Sequence, residues 1–234
     1  MEENQQNINT GVYKTINSNS INDFNVTQIP NELKVKESIP YDEPGLYHAF
    51  GIVCFSTATF LLGISNFNAY DNGKLLTVFG FFIGGLGQLI CGIICFKKKY
   101  YIDGTVYFYF ALNWTITGCY DLFPIWGWMD PLNGREYGYH NLCGCFFTLI
   151  FCLQNLGAPS ILTRISFTTT FLGFFFGTIG SFKNSTGLMK TAGVFQIITA
   201  ALAYYSAFAM TINERYKKVW MPVLDGKSFR QKLD

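Results

Sequence analysis

The chain has 234 residues, half of them hydrophobic, 18% aromatic and only 14% charged, with a net charge of +2. A soluble domain usually carries about 25% charged residues, so the balance points away from an ordinary water-soluble fold. The weak net charge and the lack of any basic stripe exclude a nucleic-acid binder.

The first 43 residues differ from the rest. They are rich in Asn, Gln and Ser and poor in large apolar residues, and no apolar run follows a charged start. The segment reads as a disordered cytosolic tail, not a cleaved signal. Residues 44–223 form the main domain, and 224–234 a short basic tail.

Six windows almost free of charge follow one another. They run Pro44–Tyr70, Leu75–Phe96, Gly104–Tyr120, Tyr137–Thr163, Ile165–Phe182 and Thr191–Asn213. A bilayer-crossing helix needs about 20 apolar residues. Each crossing must be helical, because lipid offers no partner for free backbone groups. The expected class is therefore an all-α integral membrane protein with six transmembrane helices. With an even number of spans both termini share one side. That side collects thirteen basic residues, among them Lys97, Lys98, Lys99, Arg164, Arg215, Lys217 and Lys218. The other side holds only Lys74, Arg135, Lys183 and Lys190. The excess places both termini in the cytosol. Tyr100, Tyr101, Trp126, Trp128, Tyr216 and Trp220 fall near the span ends, where amphipathic rings settle. Asn184-Ser-Thr is the sequon on the outer side, in a loop too short to favour glycosylation.

The second span, FFIGGLGQLICGIICFKKK from Phe81 to Lys99, carries helix-weakening glycines and one amide. Gly80, Gly84, Gln88 and Gly92 are spaced by four and share one helix face. Small residues at this spacing let helix backbones approach. A lone amide facing lipid is costly, so Gln88 faces another helix or a wet cavity. Other spans repeat the theme: Ser56, Thr59, Gly63 and Asn66; Asn113 with Thr117; Ser166, Thr170, Gly173 and Gly177; Gln196, Thr199, Ala203 and Ser206. Such stripes serve helix packing and also suit a solvated path. No Asp, Glu, Lys or Arg lies centrally in a span. A path lined by amides, hydroxyls and rings suits a small neutral or weakly anionic solute, with Phe55 and Phe110 as an apolar neck.

No catalytic signature competes. Cys91 and Cys95 lie four apart without a second ligand pair, so no metal site or cofactor is expected. His48 and His140 are isolated, and there is no nucleophile elbow or phosphate loop. The seven cysteines all lie in apolar runs, where they act as small hydrophobes and not as a disulfide framework.

Three ordered stretches resemble the acetate uptake transporter family, the succinate–acetate permeases. FIGGLGQLICGIICFKK, with Thr105 and Trp114 after it, is similar to the family pattern F-Y-G-G-x-x-Q-x-x-x-G. AGVFQIITAALAYYSAFAMTINE, followed by Met221-Pro222-Val223, resembles the last family helix. FSTATFLLGISN resembles the first. The family's N-P-A-P-L-G is replaced by Leu46-Tyr47-His48-Ala49-Phe50-Gly51, keeping an alanine and the final glycine. Its later glutamate is replaced by Cys95, and its Gly-Asn by Lys99-Tyr100. The resemblance implies six helices per protomer, a homo-hexamer and a separate monocarboxylate pathway in each protomer. It also implies a constriction at Phe55, Phe110 and Thr170, where the family has Phe, Tyr and Leu, and a specificity-linked position at Ala203. Beside these, the residue reading adds Thr59, Gln88, Asn113 and Gln196 to the pathway.

Transport of small monocarboxylates, acetate-like and extending to succinate, is the function expected. A urea- or amide-type channel and a non-transporting membrane sensor or scaffold are the alternatives. The expected partners are the solute and membrane lipid; the expected site is the plasma membrane, with an internal membrane as the alternative.

Overall fold

The computed structural model describes residues 46–67, 73–157 and 160–222. The expected tails, 1–43 and 224–234, lie outside the described residues. Every regular element among those described is helical. In chain order they are α1 (Leu46–Asn66), α2 (Gly73–Phe79), a π-helical segment (Gly80–Gly87), α3 (Gln88–Lys97), α4 (Tyr101–Ile125), α5 (Gly134–Gln154), a 3₁₀ turn (Asn155–Gly157), α6 (Ile161–Lys183) and α7 (Thr186–Tyr216).

Local chemistry sets the ends. The α5 start is a reciprocal cap. Asn133 Oδ1 accepts from the backbone N–H of Arg135 (2.9 Å) and Glu136 (3.1 Å), and Asn133 N–H donates to Glu136 Oε2 (2.7 Å). This satisfies donors that the first helical turn otherwise leaves open. The far end of α5 falls short of the expected window. Asn155 turns its side-chain amide back to the Phe151 carbonyl at 2.8 Å, and a single 3₁₀ turn follows. Ser160 and Ser185 cap the starts of α6 and α7, while Asn184 and Lys217 end them at φ 47°.

The long helices form a ring. The stretch α2–π–α3 packs on α1 and α4, α1 packs on α7, α7 on α6 and α6 on α5. Between α4 and α5 aromatic side chains complete the ring. Tyr109 and Phe147 stack with centroids 3.4 Å apart, and Tyr120 meets His140 edge-on at 5.3 Å. Among the described residues four stretches are long and apolar enough to cross a membrane: α1, Leu75–Lys97, α6 and α7. α4 and α5, at 25 and 21 residues, match them in length.

The second long helix shows how the bundle is sorted. Phe82, Leu86, Ile90 and Ile93 are exposed, while Gly84, Gly87, Gln88, Cys91 and Cys95 are buried. Large apolar groups outside and small ones inside invert the soluble pattern, as a lipid solvent requires. The inner face lets helices close up. A Cβ at Gly84 would lie 2.7 Å from the Trp114 Cγ and 2.9 Å from the Ala58 Cβ; one at Gly92 would lie 2.4 Å from the Phe108 ring. The segment winds as a π-helix, in which the backbone bonds to the fifth residue instead of the fourth, and the stripe of Gly80, Gly84, Gln88 and Gly92 stays buried along it. The winding rotates Gly84, Gly85 and Gly87 together into the interior.

Candidate functional site

A small cavity lies inside the ring. Phe55, Thr59 and Leu62 of α1 line it with Phe110, Asn113 and Trp114 of α4. Thr170 and Phe174 of α6 and Gln196 and Thr199 of α7 complete it. Its volume of about 20 Å³ is room for little more than one water. No charged side chain lines it.

The Phe55 and Phe110 rings touch, with centroids 4.8 Å apart and planes tilted by 59°. Phe110 in turn meets Phe147 edge-on at 5.9 Å. These contacts make a three-ring cluster reaching from α1 through α4 to α5.

The polar wall is built from hydroxyls and amides in chains. Thr199 donates to the Thr169 hydroxyl at 2.7 Å, and Thr169 donates to the Ser166 carbonyl at 3.0 Å. Thr170 donates to the same carbonyl at 2.7 Å. That satisfies the hydroxyl hydrogen within its own helix while leaving lone pairs free. Gln196 holds α7 to the end of α1: its Oε1 accepts from Asn66 Nδ2 at 2.8 Å. Close approach there depends on glycines, since a Cβ at Gly193 would fall 2.6 Å from the Gly63 carbonyl oxygen.

Two fully buried polar atoms of the lining have no hydrogen-bond partner among the described residues: Thr59 Oγ1 and Trp114 Nε1. Thr59 differs from its neighbours in this. Ser56 and Thr57 both donate to the carbonyl four residues back, at 2.7 and 2.8 Å, as do Thr115, Thr148 and Thr178.

The cavity thus brings together Phe55, Thr59, Phe110, Asn113, Thr170 and Gln196 of the residues read as a pathway. Gln88 and Ala203 sit elsewhere. Gln88 is fully buried between α1 and the π segment. Oriented to satisfy both ends, its amide donates to the Gly84 carbonyl (3.3 Å) and accepts from the Phe55 N–H (3.1 Å). Ala203 is buried in α7, one turn beyond Thr199. Trp114, Leu62, Phe174 and Thr199 were not read as pathway residues. Phe174 was within reach, being one turn from Thr170 on the same face. Trp114 carried the signal of a large polar-edged ring beside Asn113.

The histidines stand away from this cavity. His48 is held by Tyr107, whose hydroxyl lies 3.1 Å from His48 Nδ1 and donates to the His48 carbonyl at 2.9 Å. His140 lies 3.4 Å from the Tyr120 hydroxyl. The cysteines are free, and among the described residues no cluster of His, Cys, Asp or Glu is fit to hold a metal.

A ring of apolar helices turned greasy side out, with a narrow uncharged cavity at its centre, defines a membrane transport protein. The chain belongs to the GPR1/FUN34/yaaH family, whose model matches residues 36–225. It is 26% identical over 174 residues to the succinate-acetate/proton symporter SatP of Escherichia coli, covering 74% of this chain and 92% of that one. It is 30% identical over 171 residues to ammonia transport outward protein 2 of Saccharomyces cerevisiae, covering 68% of this chain and 58% of the yeast one. The fold matches the structure of the bacterial acetate channel SatP with a TM-score of 0.73 at 22% identity, over 77% of this chain and 99% of the other.

Proposed function

We propose that the protein passes acetate-like monocarboxylates through the interior of each protomer, along the cavity between α1, α4, α6 and α7. The observation that supports this most is the convergence of uncharged polar groups and the Phe55–Phe110 pair on one interior cavity. The relation to SatP, a symporter by one name and an acetate channel by the other, points to the same solute class. In this reading α4 and α5 also cross the bilayer, giving six spans with both termini in the cytosol. The protomers assemble as a hexamer in the plasma membrane through part of the exposed apolar surface.

The form described is closed. A cavity of 20 Å³ holds a water but not a carboxylic acid, so passage requires the Phe55 and Phe110 rings to part. The cavity wall holds no group that titrates near neutral pH. A proton linked to uptake is therefore not relayed by the cavity wall. Thr170 stands where the resemblance puts a leucine; a smaller and more polar side chain there widens the neck and favours larger or more polar acids, succinate among them.

A second reading, a channel for a neutral solute such as urea, is favoured by the same uncharged lining. Labelled acetate and labelled urea influx into proteoliposomes, measured across pH, separates the two. Acetate influx that rises as the outside pH falls supports the proposal. Urea influx without acetate influx overturns it.

A further inference from the structure

We propose that Thr59 and Trp114 form a carboxyl-oxygen subsite one helical turn beyond the Phe55–Phe110 neck; the inference rests on the transport reading above. Thr59 lies four residues after Phe55, and Trp114 four after Phe110. Four residues are about 6 Å of helix rise, so both groups follow the neck at the same depth and line the same cavity. Gly84 lets its helix close on α1 and α4 at this level: the point where its Cβ would stand is 2.9 Å from both the Ala58 Cβ and the Trp114 Cδ1.

Both side chains are more than nine-tenths buried, at 5% and 3% exposure, and both polar atoms lack a partner. Buried donors are almost always satisfied, and an orphan is costly. Here the cost falls on the closed state. When the rings part, an oxygen acceptor that reaches the two donors relieves it, so the arrangement favours opening in the presence of solute. The chemistry selects the acceptor. An indole N–H donates only, and a hydroxyl donates readily. The pair therefore suits a carboxylate, which brings two acceptor oxygens, better than ammonium, to which the indole N–H offers no acceptor. With no cation beside it the subsite holds an anion weakly, and weak holding is what flux requires.

The test uses the full-length protein in proteoliposomes and labelled acetate over a range of concentrations. Thr59→Val keeps the shape and removes the hydroxyl. It is expected to raise the half-saturating acetate concentration about tenfold, the order expected for one lost hydrogen bond to a charged group, with maximal influx little changed. Trp114→Phe is expected to act in the same direction. Thr59→Ser, which keeps the hydroxyl, is expected to stay near wild type and serves if Trp114→Phe fails to fold. Half-saturation within twofold of wild type in Thr59→Val overturns the subsite, as does equal loss in Thr59→Ser and Thr59→Val. A wild-type protein that carries no acetate overturns the transport reading itself.

Discussion

Two buried amides in the same ring of helices do different work. Gln88 sits where α1 meets the π segment, walled by Gly84 and Gly87, with both ends of its amide tied to backbone. Gln196 sits where α7 meets α1, bonded to the Asn66 side chain while lining the cavity. The first seam is dry and closed by atoms that cannot turn away. The second is closed by a side chain that can exchange partners. One buried carboxamide is thus tied to backbone within a helix seam, and the other lines the cavity on a side-chain partner.

The contrast is broken most severely by filling the dry seam. Gly84→Val places carbon inside the contact among Gly84, Trp114 and Ala58. It is expected to cost about 3 kcal/mol or more and to abolish the monodisperse peak in size-exclusion chromatography. Next in size, Gln88→Leu leaves the Phe55–Gly84 bonds unmade at a cost of about 1–3 kcal/mol. Its thermal melt in detergent should fall while half-saturation for acetate holds. The reverse pattern is expected of Gln196→Leu: a smaller drop in melting with a clear change in acetate influx, because Asn66 loses its acceptor at the cavity wall. Thr170→Leu should cost little stability and narrow the range of acids carried, read as the ratio of succinate to acetate influx. Least of all, Thr168→Val removes a hydroxyl that donates to the Arg164 carbonyl on an exposed face, a change expected to stay within about 0.5 kcal/mol.

Much of the fold was open to reading because lipid imposes one rule on every span. Charge-free windows located each long helix, and Lys97 to Lys99 marked the end of the second. The ends that drifted were those where a local cap outweighed composition. Asn155 stops α5 well before Thr163, where its window ended, and Asn133 with Glu136 starts it three residues early. The π winding left no trace in the sequence beyond its glycines, since the choice between the fourth and fifth carbonyl depends on what α1 and α4 press against it. Gln88 was grouped with Asn113 and Gln196 as a buried amide; the cavity is lined by Asn113 and Gln196 without Gln88. Residues on regular helix, such as Phe55 with Thr59 and Asn113 with Phe110, kept the relations their spacing implied. Trp114 was visible as a motif residue, but its unpartnered N–H is a property of three packed helices and is written in none of them alone.

The most direct test is the ratio of butyrate to acetate influx in proteoliposomes carrying Phe110→Ala. If solute passes between Phe55 and Phe110, removing one ring widens the neck, and the ratio rises severalfold over wild type. A ratio identical to wild type, in a variant that remains folded and transports acetate, would place the pathway elsewhere.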